Sequence, residues 1–345
     1  MKILFATHEG VPLYGGGPYV KMLATQKHLR QFNVTVDLFN MWDSSLQLKS
    51  YDLIHLFGSN FATYNLARNL KYQGRKYVVN SIFFTRRSAY VVKVITAIDK
   101  LTRKFIPGIW WDYGFTRDIC EWSECVLPNT VDEGKLIETG LGIPRRKIRV
   151  IPNGVSEEFL NGDPALFKKE YGLENFILNV GHIGPRRKNV LALVRALAKI
   201  DHPAVLITKI LHTKETEQIL AEAKQNKNLL IIDGLLHNSP LLASAYAACD
   251  VFVLPSQFET PGRAALEAAL AGAKIVITPY GGTREYFKSF AEYVNPYSIQ
   301  SIRDGIEKAL RAPQNPALKE HVKQNFLWRK IARQTLDLYQ EIIKI

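Results

Sequence analysis

The sequence predicts an α/β protein made of two doubly wound parallel-sheet domains. Three observations carry this expectation. Short apolar runs alternate with helical patterns along the whole chain, the alternation restarts after a turn-rich stretch near Pro152, and 345 residues exceed one ordinary core.

The first run, KILFAT from Lys2, reads as a strand, and a loop ending in Gly15, Gly16 and Gly17 leads to a helix that Pro18 opens and that runs to about Gln31. VTVDLF (34–39), DLIHLF (52–57) and KYVVN (76–80) read as further strands, with a helix near Phe61–Tyr72. A basic helix from Ser88 to about Phe105 carries Lys93, Lys100, Arg103 and Lys104, and the aromatic segment IPGIWWDYGF follows it. ECVLPN (124–129) and KIRVIPNG (147–154) are expected as strands around a helix near Asp132–Thr139. The turn-rich PNGVSEEFLNGDP then marks the boundary, giving domains of 1–155 and 156–325. FILNVGHI (176–183), AVLITK (204–209), LLIIDG (229–234), VFVLPS (251–256) and KIVITP (274–279) form the second set of strands. From about Ala317 the chain is helical and amphipathic, and 326–345 is expected to return to the first domain.

Composition narrows the function classes. A net charge of +13 and a pI near 9.5 favour anionic partners, but no nucleic-acid-binding motif accompanies them, so nucleic acid is not expected. Three cysteines are too few for a disulfide framework and lack metal-ligand spacing, which fits a reducing cytoplasm. MKILFATHEG enters a strand at once and shows no signal-peptide pattern. The most apolar long window, Tyr77–Ile98, is interrupted by Arg86, Arg87 and Lys93, which argues against a spanning helix.

The chemistry concentrates between Asp250 and Tyr286, which reads strand, loop, helix, strand, loop, with Glu259 and Glu267 on the first loop and its helix. Thr260 is the expected N-cap, Pro261 the first helical residue and Gly272 the C-cap. Glu267 falls four residues after Arg263, so a salt bridge is one reading of that glutamate. Such a helix start behind a strand end is an anion site. Upstream, GHIGPRRKN (181–189) sets Arg186, Arg187 and Lys188 at another helix start, where the dipole alone favours anions; a diphosphate is the expected ligand. Gly15–Gly17 admits either close phosphate approach or a plain turn. The dinucleotide fingerprint fails there because its sixth position is Val20.

Taken in order, the glycine loop at 15, PNGV, GHIGPRRKN, VFVLPS, FETPGRAALEAALAGAKIV and GGTREYF resemble the retaining family 4 (group 1) glycosyltransferases of the GT-B fold, over most of the chain. The resemblance implies two Rossmann-like domains facing a central cleft, an N-terminal acceptor half and a C-terminal donor half. It implies a nucleotide-sugar donor such as a UDP- or GDP-sugar, a glycan or lipid-linked acceptor, a role in surface polysaccharide or lipopolysaccharide assembly, and neither metal nor other cofactor. On this reading Glu267 bonds the donor ribose and Glu259 approaches the donor sugar. The N–H groups of Thr260, Pro261's neighbour Gly262 and the loop around them face sugar and phosphates. The family's basic pair falls on the 181–188 loop, its lysine at Lys188, or at Arg187 if no residue is inserted, and Gly16, Gly17, Gly181, Arg263 and Leu235 fall on the donor side. His182 stands where the family usually has arginine. Asn80 and Ser81 stand where it commonly has a strand-end histidine, and with His8 they are the acceptor-side candidates. These departures leave open a subfamily with different donor or acceptor contacts or a degenerate nucleotide-sugar-binding protein, and a GT-B epimerase is a further alternative. Retention is attributed either to same-face attack or to a glutamate nucleophile. The basic helix from Ser88 with its WW segment reads either as a contact with an anionic bilayer at the inner membrane face or as a surface helix beside buried tryptophans.

Overall fold

A computed structural model describes residues 1–11, 16–106, 108–237 and 239–344. The chain divides into two compact units, Met1–Gly154 with Trp328–Ile345, and Val155–Leu327.

The first unit is built on a five-stranded parallel sheet of order β2-β1-β3-β4-β5, with β1 Lys2–Ala6, β2 Thr35–Leu38, β3 Leu53–Phe57, β4 Tyr77–Asn80 and β5 Cys125–Val126. Every residue of β3 and β4 is buried, which is why both read as continuous apolar runs rather than alternating ones. Helices cover both faces. The Phe61–Tyr72 helix starts at an Asn60 capping box, and Ser88 and Thr130 cap the helices Ala89–Phe105 and Val131–Leu141. One apolar cluster joins Ile54, Leu56, Tyr77 and Val79 to Ile119 and Ile137. The other joins Ile3, Phe5 and Leu53 to Met22, Trp328, Ile331 and Tyr339.

Two expectations are corrected here. The segment 147–154 is not a strand: it touches the sheet through a single bridge, Val126 to Ile148, and continues with Arg149 N–H to Val126 O and Ile151 N–H to Pro128 O. With β5 only two residues long, there is no ladder for it to extend. The aromatic stretch after residue 108 contains a helix, Asp112–Trp122, whose buried face is Phe115, Ile119 and Cys120.

The second unit carries a six-stranded parallel sheet of order β11-β10-β9-β6-β7-β8, with β6 Phe176–Ile183, β7 Ala204–Ile210, β8 Leu229–Asp233, β9 Cys249–Leu254, β10 Lys274–Ile277 and β11 Glu292–Tyr293. The chain enters and leaves this unit side by side, Val155 N–H donating to Phe326 O at 2.8 Å. The C-terminal helical stretch is therefore two helices, Pro316–Phe326 in the second unit and Trp328–Lys344 in the first, broken at Leu327. Gly154 is required at the return, since a Cβ there would lie 2.5 Å from the Trp328 ring.

Buried polar groups in the first unit are satisfied by long-range partners. His55 bonds the Tyr339 hydroxyl and Asn80 Oδ1. Burial, with the Lys21 charge, pushes its pKa down to about 3, so it stays neutral. Among the described residues no helix is long and apolar enough to cross a membrane.

Candidate active site

In an open parallel sheet, ligands bind at the carboxyl ends of strands where the winding direction reverses. In the second unit β7 and β8 lie to one side of β6, and β9, β10 and β11 to the other, so the reversal falls between β6 and β9. The loops leaving those two strands carry the basic cluster and Glu259.

Those loops are bonded to each other. Gln257 N–H donates to Arg187 O at 2.8 Å, Arg187 Nη1 reaches Phe258 O at 2.9 Å, and Asn189 Nδ2 holds both Pro255 O and Pro296 O. Lys188 Nζ then lies 2.7 Å from Glu259 Oε1, with Arg187 Nη1 at 3.4 Å. Glu259 is only 7% exposed. Burial pushes its pKa up, but the Lys188 and Arg187 charges and the Lys188 hydrogen bond outweigh it and hold the carboxyl below the usual range.

A third loop closes on Glu259 from β10. Glu259 N–H donates to Tyr280 O at 3.0 Å and Glu259 O accepts from Gly282 N–H at 2.9 Å. Gly281 has φ +91°, and a Cβ on it would meet Glu259 O at 2.1 Å. Gly281→Ala is thus expected to cost about 1–3 kcal/mol, the range for overpacking. Gly272→Ala, also at positive φ but with open space around the new Cβ, serves as the comparison. Equal denaturation midpoints for the two variants would remove the role of the contact.

This bridging corrects the expected helix start. Glu259 is still bridged to Gly281, Thr260 and Pro261 form a bend, and the cap is Gly262 at φ +85°, so the helix is Arg263–Ala271. Thr260 and Pro261 are loop residues. Gly272 ends the helix in the left-handed conformation, as the sequence suggests.

Glu267 projects from that helix and is 3% exposed. Its partners go beyond Arg263, whose Nε lies 3.5 Å away: His237 Nε2 is 2.8 Å from Oε1, and the Tyr246 hydroxyl donates to Oε2 at 2.8 Å. Burial raises the Glu267 pKa, and these partners, His237 first and then Arg263, more than reverse it. Sequence reading missed His237 and Tyr246, which lie 30 and 21 residues away with no motif linking them to the glutamate. Nε and Nη1 of Arg263 are buried and make no hydrogen bond to the described residues.

The remaining candidates fall as follows. His182 is the penultimate residue of β6, half-buried, its pKa lowered by burial and then by Lys188, Lys209 and Arg187, so it does not replace an arginine's charge. Gly181 lies beside it with nothing within 4 Å of its Cβ direction. Leu235 packs half-buried on the core of the second unit. Gly16 and Gly17 start the Gly17–Arg30 helix of the first unit, and Gly15 lies outside the described residues.

The first unit has its own reversal point, between β1 and β3, and a cavity of about 160 Å³ there. His8, Ser59, Asn60, Ser81 and Thr116 contribute to its lining. Asn80 does not line it: its Nδ2 donates to Leu127 O at 2.7 Å and its Oδ1 is held by His55. The Ser81 hydroxyl donates to the buried Glu133.

Residues 166–326 match the glycosyl transferases group 1 family. Over this segment, a little under half of its length, the chain is similar to the group 1 glycosyltransferases. Relatives include an uncharacterized glycosyltransferase of Methanocaldococcus jannaschii, 28% identical over 57% of this chain and 55% of that one. Another is the serotype-specific mannosyltransferase WbdA of Escherichia coli, 30% identical over 59% of this chain and 27% of its own length. The chain thus spans about half or less of the length of these curated relatives. Among solved structures, sucrose-phosphate synthase from Thermosynechococcus elongatus aligns at TM-score 0.75 and 19% identity, covering 100% of this chain and 99% of that one. Anabaena HepE in complex with UDP-glucose aligns at TM-score 0.70 and 17% identity, over 99% and 100%. The two parallel-sheet units of this chain are those of the GT-B fold.

Proposed function

We propose that the protein transfers a sugar, with retention, from a nucleotide-sugar to a glycan or lipid-linked acceptor in surface polysaccharide assembly. The observation carrying this reading is the pair of buried carboxylates, each fixed by cations or hydroxyl and imidazole donors, at the reversal point of the second unit's sheet. A carboxylate accepts two hydroxyl hydrogen bonds well, which suits Glu267 to a ribose and Glu259 to a sugar. The C-terminal unit takes the donor and the N-terminal unit the acceptor; Anabaena HepE, of the same fold, is in complex with UDP-glucose.

In the proposed step the bond between the sugar's anomeric carbon and the diphosphate oxygen breaks, and its electron pair stays on the diphosphate. The acceptor oxygen bonds that carbon from the same face, and its proton passes to the departing diphosphate oxygen. Arg187 and Lys188 stabilise the charge that develops, without a metal ion in this reading. The ion pair on Glu259 supports its role as a hydroxyl acceptor over that of a nucleophile, which the same charge disfavours. Three buried free thiols, Cys120, Cys125 and Cys249, support a cytoplasmic setting.

Glu267→Ala should weaken nucleotide binding by roughly 10- to 100-fold, the worth of a hydrogen bond to a charged group. Calorimetry with UDP, GDP and ADP on a variant that still melts cooperatively checks this, and unchanged affinity for every one removes the ribose role. Donor hydrolysis across UDP-, GDP- and ADP-sugars separates transfer from mere binding or epimerisation.

A further inference from the structure

The outward face of the Ala89–Phe105 helix plays no part in the site above. Tyr90, Val94, Ile98, Leu101 and Phe105 recur at steps of four, four, three and four, a single stripe down a helix. All five are exposed, Tyr90 by 74%, Leu101 by 61% and Phe105 by 68%. The opposite face buries Val92, Thr96 and Asp99. Lys93, Lys100 and Lys104 are also exposed, and at 3.6 residues per turn they fall within an arc of roughly 40° along one flank of the stripe. The helix has one carboxylate, Asp99, and it faces inward against Arg103 at 2.9 Å and Arg117 at 3.4 Å. The outward face is therefore apolar and cationic with no negative charge.

The segment beyond the helix carries two further solvent-open indoles, tied to the helix by Trp111 N–H donating to Asp99 Oδ1 at 3.1 Å. Trp110 and Trp111 are 45% and 42% exposed, so they are not the buried pair that an ordinary surface helix would stand beside. Trp110 is held in place, stacked on Phe115 at 5.3 Å with the Arg103 guanidinium 4.4 Å over its ring. A water-facing helix mixes charges of both signs and does not line five large apolar side chains in a row. Cations flanking an apolar stripe match the boundary between anionic headgroups and acyl chains.

We propose that this helix lies flat on an anionic lipid surface, the stripe in the acyl boundary and the lysines among the headgroups. The docking does not depend on sugar transfer and is measured without donor or acceptor.

Flotation of the full chain with vesicles of phosphatidylcholine plus phosphatidylglycerol should recover bound protein, high salt should release it, and vesicles of phosphatidylcholine alone should recover little. Tryptophan emission should shift to the blue on binding. Lys93→Glu/Lys100→Glu/Lys104→Glu should weaken vesicle binding on the order of a hundredfold. Leu101→Ser/Phe105→Ser should weaken it about tenfold or more. Both variants change exposed side chains and should melt with the parent. Equal recovery on neutral and anionic vesicles, no recovery on either, or parent-like binding by the triple variant would overturn the proposal. So would a parent that does not bind vesicles but dimerises, and that Leu101→Ser/Phe105→Ser renders monomeric, because a second copy would then cover the face.

Discussion

Glu259→Ala is expected to lower turnover roughly a hundredfold while leaving nucleotide affinity within a few-fold of the parent. The first figure is the usual effect of misplacing a reacting group by about an ångström. The misplacement follows from the structure: Lys188 and Arg187 both lean on Glu259 Oε1, and without it their charges lose their aim. Affinity is spared because Glu267, His237 and Arg263 form a separate cluster at the other end of the segment. Steady-state kinetics and calorimetry on one variant read both quantities. Lys188→Ala should cost a similar factor, and the double variant little more than either single one, as groups acting as a unit do. Full activity in Glu259→Ala would sink the sugar-contact role, and strictly additive losses would show that the two residues act apart.

Glu133→Ala should destabilise the first unit by about 3–5 kcal/mol, the range for removing one partner of a buried charged network. Oε1 accepts from the Ser81 hydroxyl at 2.6 Å and Phe83 N–H at 2.8 Å, and Oε2 from Asn129 N–H at 2.8 Å and Asn129 Nδ2 at 3.3 Å. Burial raises the Glu133 pKa, opposed by these bonds and by the Lys21 charge. Alanine would leave several buried donors unpaired. Glutamine should also destabilise, because both carboxylate oxygens accept and either amide orientation points an NH₂ at a donor. Denaturant midpoints of the parent, Glu133→Gln and Glu133→Ala should fall in that order. A parent-like midpoint for the glutamine variant would show that a carboxylate is not required. Ser81 and Phe83 also line the cavity of the first unit, so the same substitution should perturb it.

Some of this was legible in the residues alone. β6 runs over the same Phe176–Ile183 as its apolar pattern, and the Phe61–Tyr72 helix matches its period, because both depend on neighbours within a few residues. The Arg263–Glu267 pair follows from helix geometry in the same way. Segment 147–154 failed because a strand needs a partner ladder and β5 offers only two residues. Thr260 and Pro261 had the right chemistry for a helix start, but Glu259 is bonded to the 280–282 loop and the two residues form a bend before the helix, a tertiary override of local preference.

What the sequence determined by itself was two parallel-sheet α/β halves, the order of the glycine, basic and glutamate segments, and the presence of an acidic pair nine positions from end to end of its motif. Those are properties of composition and short-range period. Only the tertiary structure decided which groups each carboxylate faces: Lys188, 71 residues from Glu259, and His237 and Tyr246, 30 and 21 residues from Glu267. It also decided that Asn80 is spent on His55 and that the Trp110 and Trp111 indoles are half open to solvent. The physical reason is that a side chain's surroundings are set by which strand ends the fold brings together, and strand order in a parallel sheet is not encoded in the pattern of any one strand.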